Sequence, residues 1–217
     1  MKTKTASFYR HFSHDLRNAI GRADVVTTML EDESPETRDL AMGILRRSLK
    51  QVQRLAEQYS ILEQLEVGDD KPTEVPIHLL WQQGIDSLSY QRPDIIIRAD
   101  IAPLTCHLPE FAIQQLISQL CDNVGCYTPR GGAVELTVGS KGCVELTVPA
   151  AGLSGDDLTR IGEPFERGIP HTEYTEGAGL GLVIVQLAAN ACGYAFGIEL
   201  TGDGNTLKLT FKQKKAD

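Results

Sequence analysis

No run of apolar residues in this 217-residue chain approaches the roughly 20 needed to cross a bilayer. The opening MKTKTASFYRHF also lacks the apolar core and small-residue cleavage site of a secretory leader. Both absences point to a cytoplasmic protein with no membrane sensor of its own, so that any signal arrives through a partner or a ligand. A surplus of basic residues is missing too: 21 Lys and Arg face 29 Asp and Glu, a formal net charge of -8. That balance speaks against charge-driven binding to nucleic acid or to an anionic membrane. Cysteine is scarce and odd in number (Cys106, Cys121, Cys126, Cys143 and Cys192), with no CxxC pair, which reads as reduced, buried thiols in a cytosolic protein. His78, His107 and His171 are scattered, and none stands at ligand spacing from Cys121 and Cys126, so no metal site is expected from them. What is present is ordinary: 41% hydrophobic and 23% charged residues describe a folded globular chain, long enough for one domain or two small ones.

The first third is patterned as helix. Phe12, Leu16, Ala19, Ala23, Val26 and Leu30 recur at alternating steps of four and three, the seam of a helix in a bundle. Ser34 followed by Pro35 reads as an N-cap and first helical residue, opening a second helix over about 36–66. Leu45, Leu49, Val52, Ala56, Tyr59 and Leu62 form its stripe. Two long helices joined by a short turn make an antiparallel hairpin, and one hairpin cannot enclose a core. The expectation is a dimeric four-helix bundle.

The polar, proline-bearing stretch at 68–75 reads as a linker, which sets the organisation as 1–67 hairpin, 68–75 linker and 76–217 second domain. Beyond it the pattern is mixed. Helices are expected over 76–91, 109–126 and from about Leu180, with strands over 94–98, 133–138, 143–148 and 206–212. This is the pattern of an α+β fold, a sheet with helices on one face.

Chemistry enters at Phe12-Ser13-His14-Asp15-Leu16-Arg17-Asn18. His14 lies between two seam positions and projects towards solvent, where a neutral imidazole offers one ring nitrogen as a nucleophile. Asp15 is placed to hold a ring N–H and set the tautomer. Asn18 stands one turn on, positioned to orient a water, and Arg17 is within reach of phosphate oxygens. A His-Asp pair on a helix is by itself a solvated face. The whole string resembles the H-box of two-component histidine kinases, in which a His precedes an acidic residue and, three further on, Thr or Asn. Ala19 stands where that box commonly has proline.

The second half resembles the ATP-binding domain of the same family, segment by segment and in order. Leu116 to Pro129 resembles the N-box, and the resemblance makes Asn123 the residue that ligands Mg²⁺ at the phosphates, an oxygen donor for a hard cation. Phe165 in EPFERG matches the aromatic at the root of the ATP lid. Gly177, Gly179 and Gly181 in GAGLGL match the second glycine box, whose backbone N–H groups approach the phosphates at a helix N-terminus. Thr206 falls where the family has Thr in the last strand. The resemblance spans about 8–212 and implies a Bergerat-type α/β sandwich binding ATP and Mg²⁺, a response-regulator receiver domain as partner, and a homodimer.

Three departures bear on the cofactor. The first glycine box, Asp-x-Gly-x-Gly in the family, reads Val148-Pro149-Ala150-Ala151-Gly152 here. Val148 cannot accept the adenine amino hydrogen bond, and Ala150 adds a methyl where the base stacks. Losing one buried polar partner costs roughly 1–3 kcal/mol, about ten- to hundredfold in affinity. Gln119 replaces a second N-box Asn, and Cys126 replaces a Lys that reaches the phosphates. The resulting expectation is phosphoryl relay through His14 to or from a receiver aspartate, with ATP-dependent autokinase activity weak or lost. The alternatives are an active, sensor-less cytoplasmic kinase using ATP and Mg²⁺, and a non-catalytic module that dimerises with or sequesters a kinase or regulator.

Overall fold

A computed structural model describes residues 2–30, 34–140, 142–149, 179–201 and 206–214, without the side chains of 2–11, Asp15 and Thr28. Two long helices open the chain, α1 (Lys2–Met29) and α2 (Pro35–Val67). Ser34 caps α2, its Oγ accepting from the Thr37 N–H at 3.1 Å, and Pro35 follows at the first helical position. Such a cap is worth about 1 kcal/mol. Phe12 meets Tyr59, and Arg22 donates to the Gln51 carboxamide, so early α1 faces late α2 and the pair runs antiparallel.

The seam differs from expectation in α2. Ala41, Ser48, Leu55 and Leu62, seven apart, are buried, with Ala19 and Val26 opposite on α1. Small side chains along this seam let the helices approach closely. The expected stripe of Leu45, Leu49, Val52 and Ala56 lies roughly 60–100° around the helix from it. Leu49 is 54% exposed there, and Ile20 on α1 is also 54% exposed. Apolar residues occupy two adjacent faces of α2, and only one of them is used inside the hairpin.

Residues 72–75 are a strand rather than linker: β1 (Pro72–Val75) pairs antiparallel with β3 (Cys106–Pro109). The remaining elements are α3 (Ile77–Gln91), β2 (Ile96–Ile101), α4 (Glu110–Tyr127), β4 (Ala133–Val138), β5 (Val144–Pro149), α5 (Gly181–Ala191), β6 (Tyr194–Thr201) and β7 (Thr206–Gln213). The main sheet has the order β2-β4-β5-β7-β6, with β2 and β4 parallel and the other pairs antiparallel. In β4 the side chains of Val134, Leu136 and Val138 are buried while Glu135 and Thr137 face solvent, so one face of the sheet carries the helices. Trp81 from α3, Leu116 and Leu120 from α4, Val185 from α5 and Phe211 from β7 fill the space between. The thiols are less buried than expected: Cys192 is buried, Cys143 exposed, and the other three lie between. No helix among the described residues is long and apolar enough to cross a membrane.

Arg92, just past α3, closes the C-terminal end of α4. Its guanidinium donates to the carbonyls of Gly125 and, at 3.0 Å, Thr128, and pairs with Asp94 at 2.8 Å. The hydrogen bond from Arg92 holds the Asp94 carboxyl down at about 2. A depressed carboxylate stabilises the fold above its ordinary value, about 3.9, and loses that contribution as pH falls through the lowered one. Arg92→Ala should therefore cost about 1–3 kcal/mol at neutral pH, from the orphaned carbonyls. Urea melts at pH 4 and pH 2 should show less acid destabilisation in Arg92→Ala than in the wild type.

Candidate functional site

On α1, Phe12 and Leu16 are half-buried and Ala19 fully buried, while Ser13, His14, Arg17 and Asn18 face solvent. The heptad seam thus turns His14 outward. One turn on, the Asn18 amide lies on the imidazole, Nδ2 standing 3.2 Å from Nδ1 and 3.4 Å from Nε2. An amide N–H donates to whichever ring nitrogen carries the lone pair, which favours the proton on the other nitrogen. Arg17 is spent differently: its Nε donates to the Ser13 carbonyl at 3.1 Å, within its own helix. The side chain of Asp15 lies outside the described residues. The structure therefore brings together His14 and Asn18, and lays Arg17 along the helix beside them.

In the sandwich, Asn123 and the turn into α5 meet. Gly179 has φ +70°, a conformation favouring glycine, and Gly181 opens the helix. A Cβ on Gly181 would stand 2.9 Å from Asn123 Oδ1, so the glycine leaves that carboxamide room in its present position. Asn123 Nδ2 is buried with no hydrogen-bond partner among the described residues. An amide oxygen beside a glycine, with an unmet amide N–H₂, fits a hard cation and a phosphate oxygen respectively. The phosphate end of the implied ATP and Mg²⁺ site is thus compatible with the residues present.

At the other end, Val148, on β5, packs half-buried against the sandwich core, an apolar side chain where the family pattern carries Asp. Thr206 opens β7 opposite Pro149, its carbonyl accepting from Thr201 Oγ1 at 3.4 Å. Gln119 is buried and Cys126 half-buried on α4. Phe165, Gly177 and Ala150 lie outside the described residues.

Sequence patterns missed the contact between the two halves. Leu55 and Leu62 of α2 form one apolar cluster with Leu180 and Ile184 of α5, and Phe12, two residues before His14, packs onto it. Phe12 also leans on Tyr59, ring centroids 5.2 Å apart. Burial raises the Asp122 carboxyl, next to Asn123, and the Arg54 charge on α2 opposes that rise. Helical periodicity reports that Leu55 and Ile184 are apolar, not that they meet. A separate groove of about 280 Å³ runs between α3 and α4, floored by Leu80, Gly84 and Ile117, and takes in Asp122 but not His14, Asn18 or Asn123.

Residues 109–215 match the family described as histidine kinase-, DNA gyrase B- and HSP90-like ATPase. The sensor protein QseC of Escherichia coli (strain K12) is 28% identical over 204 residues, covering 89% of this chain and 44% of that protein. The histidine protein kinase DivJ of Caulobacter vibrioides is 35% identical over 102 residues, 45% of this chain and 17% of that protein. The solved structure of the Acinetobacter baumannii histidine kinase AdeS superposes with a TM-score of 0.69 at 17% identity, covering 94% of this chain and 98% of that one. This chain therefore spans less than half the length of these curated relatives. The helical hairpin, the helix-covered mixed sheet, the ATPase-family match in the second half and the likeness to sensor kinases together support a two-component kinase transmitter core.

Proposed function

We propose that this protein relays phosphoryl groups through His14 to or from an aspartate of a response-regulator receiver domain, with autokinase activity weak or lost. The observation that carries the reading is an exposed imidazole with the Asn18 amide on its ring, beside a nucleotide cleft whose base end presents Val148. In the forward step a lone pair of His14 attacks the phosphorus of an aspartyl phosphate, the P–O bond breaks, and the aspartate leaves as carboxylate. The reverse step returns the phosphoryl group to a receiver carboxylate. Asn18 must swing off the attacked nitrogen, and from its new rotamer it reaches phosphate oxygens or a water. Asp15 is assigned the ring N–H and Arg17 the phosphate charge.

Retention of Asn123 with Gly181 favours a second reading, a working kinase. Bound Mg–ATP would supply the γ-phosphoryl group there. Asn123 would hold the metal, and the backbone of Gly177, Gly179 and Gly181 would face the phosphates, with Phe165 at the lid and Thr206 at the strand beneath. Against it, Cys126 brings no cation to a polyanion, and Val148 with Ala150 removes adenine recognition.

The apolar stripe left open on α2 implies a homodimer, Leu49 facing its counterpart across a four-helix bundle. Light scattering at micromolar concentration should give twice the 23.8 kDa chain mass. Leu49→Glu should return it to one chain, since an unpaired buried carboxylate costs several kcal/mol. A wild type that stays monomeric at high concentration would sink the bundle.

His14→Ala should fold and melt like the wild type, because the residue faces solvent, yet accept no acid-labile, base-stable label from a phosphorylated receiver. Label that persists in His14→Ala places the acceptor elsewhere. Asn18→Ala should leave labelling intact and slow dephosphorylation of the regulator.

Titration calorimetry with ATP and Mg²⁺ should give a dissociation constant near millimolar, ten- to hundredfold weaker than a site with intact adenine recognition. Val148→Asp combined with Ala150→Gly should tighten it. A low micromolar constant in the wild type, or His14-dependent labelling from ATP, would establish the kinase reading instead.

A further inference from the structure

The segment that follows the hairpin is tied to the sandwich by a side-chain hydrogen bond just before β1 begins. α2 ends at Gly68, whose N–H donates to the Gln64 carbonyl at 3.2 Å. Two residues later, Asp70 Oδ2 accepts from the N–H of Ala112, in the first turn of α4, at 3.0 Å. The N-cap position of α4 is Pro109, which makes no side-chain cap bond, so the acceptor that this helix end requires comes from the linker. A carboxylate there also meets the positive end of the helix dipole. Nearby, Leu65 in the last turn of α2 packs against both the sandwich core and the cluster formed with α5.

These contacts act at different points on one docked arrangement. Asp70 and Leu65 hold the sandwich at the hinge, while Leu180 and Ile184 press on Leu55, Leu62 and Phe12 further up the hairpin. With the sandwich docked, Phe12 is covered, but His14 and Asn18 stay exposed. Docking therefore does not shield the phosphoacceptor.

We propose that Asp70 is a hinge clamp: by capping α4 from the linker, it fixes the sandwich in the docked position that covers Phe12 and leaves His14 open to a partner. The access of a receiver to His14 rests on the relay reading; the clamp itself does not. An undocked sandwich, tethered through residues 68–71, would sweep past His14 and compete with a partner for the same flank. Asp70 is in this sense a positioning residue, acting on the chemistry only through where it holds the second domain.

Hydrogen exchange on the whole chain tests it without any phosphoryl chemistry. Asp70→Ala should speed exchange of the Ala112 amide at least tenfold. It should also speed exchange of the Ile184 amide, which donates to the Leu180 carbonyl in the first turn of α5, as the sandwich leaves the hairpin. Asp70→Asn keeps an acceptor oxygen and should retain most of the protection at both amides, which also guards against an Asp70→Ala chain that fails to fold. Unchanged exchange at Ala112 in Asp70→Ala overturns the proposal. So does faster Ala112 exchange with Ile184 unchanged, because the carboxylate would then cap one helix without holding the domains. A wild-type protein that takes no phosphoryl group on His14 would fell the relay reading and leave the clamp to be judged by exchange alone.

Discussion

Leu180 has no exposed surface, and its burial links every part of the molecule that bears on function. It sits between Gly179, held at φ +70°, and Gly181, the first residue of α5. Its side chain lies in the cluster with Leu55 and Leu62, so the hairpin fixes the turn that leads into α5. That turn in turn presses Gly181 against Asn123 and so fixes the spacing between α5 and α4. Burying a leucine contributes about 1.5–3 kcal/mol, and the cluster contains several such side chains. The Arg54 charge near Asp122 is a minor addition beside this, since pairs near solvent contribute about 0–1 kcal/mol. Apolar packing, not charge, therefore sets how the hairpin that bears His14 and the ATPase-like domain face one another.

The sequence was most legible where one local signal decided the outcome. Ser34-Pro35 placed the start of α2 because cap and first-turn chemistry are contained in adjacent residues. His14 could be assigned to the solvent side because Phe12, Leu16 and Ala19 define the inward face around it. Legibility failed where two answers share one pattern. Apolar residues on adjacent faces of α2 do not say which face meets α1, and the inward one proved to be Ala41, Ser48, Leu55 and Leu62. β1 was read as linker because a single residue of it, Val75, is buried, and β6 was missed because Gly197 interrupts it and it lies at the sheet edge. Long-range contacts, such as Leu55 and Leu62 with the cluster at Leu180 and Ile184 or Asp70 with Ala112, join residues whose partners no local window contains.

The nucleotide cleft divides into ends under different physical constraints. At the phosphate end, Asn123 and Gly181 fit each other through packing: a larger side chain at 181 would push the Asn123 carboxamide from its place whatever the cleft holds. At the base end, Val148 stands in β5 in register with Leu207, and packs half-buried against the core. A valine in that place is well suited to a strand and satisfies the sheet as fully as an acidic residue would. The fold therefore does not require an acceptor there; only adenine recognition does.

That asymmetry decides how much weight each residue carries in choosing between relay and kinase. Asn123 and Gly181 are held by mutual packing, so their presence is compatible with either activity. Val148 in turn serves the strand and the core it packs against, and what it lacks is an acceptor for a base. The same test applied to α1 separates His14 from its surroundings. Phe12 is fixed by Tyr59 and by the cluster with α5, and Ala19 by the seam, whereas His14 and Asn18 lie exposed on the solvent face. Their pairing, ring to amide at 3.2 Å, is compatible with the chemistry proposed at the imidazole. The solvent exposure of His14 and Asn18 on the helix and the place of Val148 in β5 are both compatible with the phosphoryl transfer at His14 proposed above, in which adenine recognition plays no part.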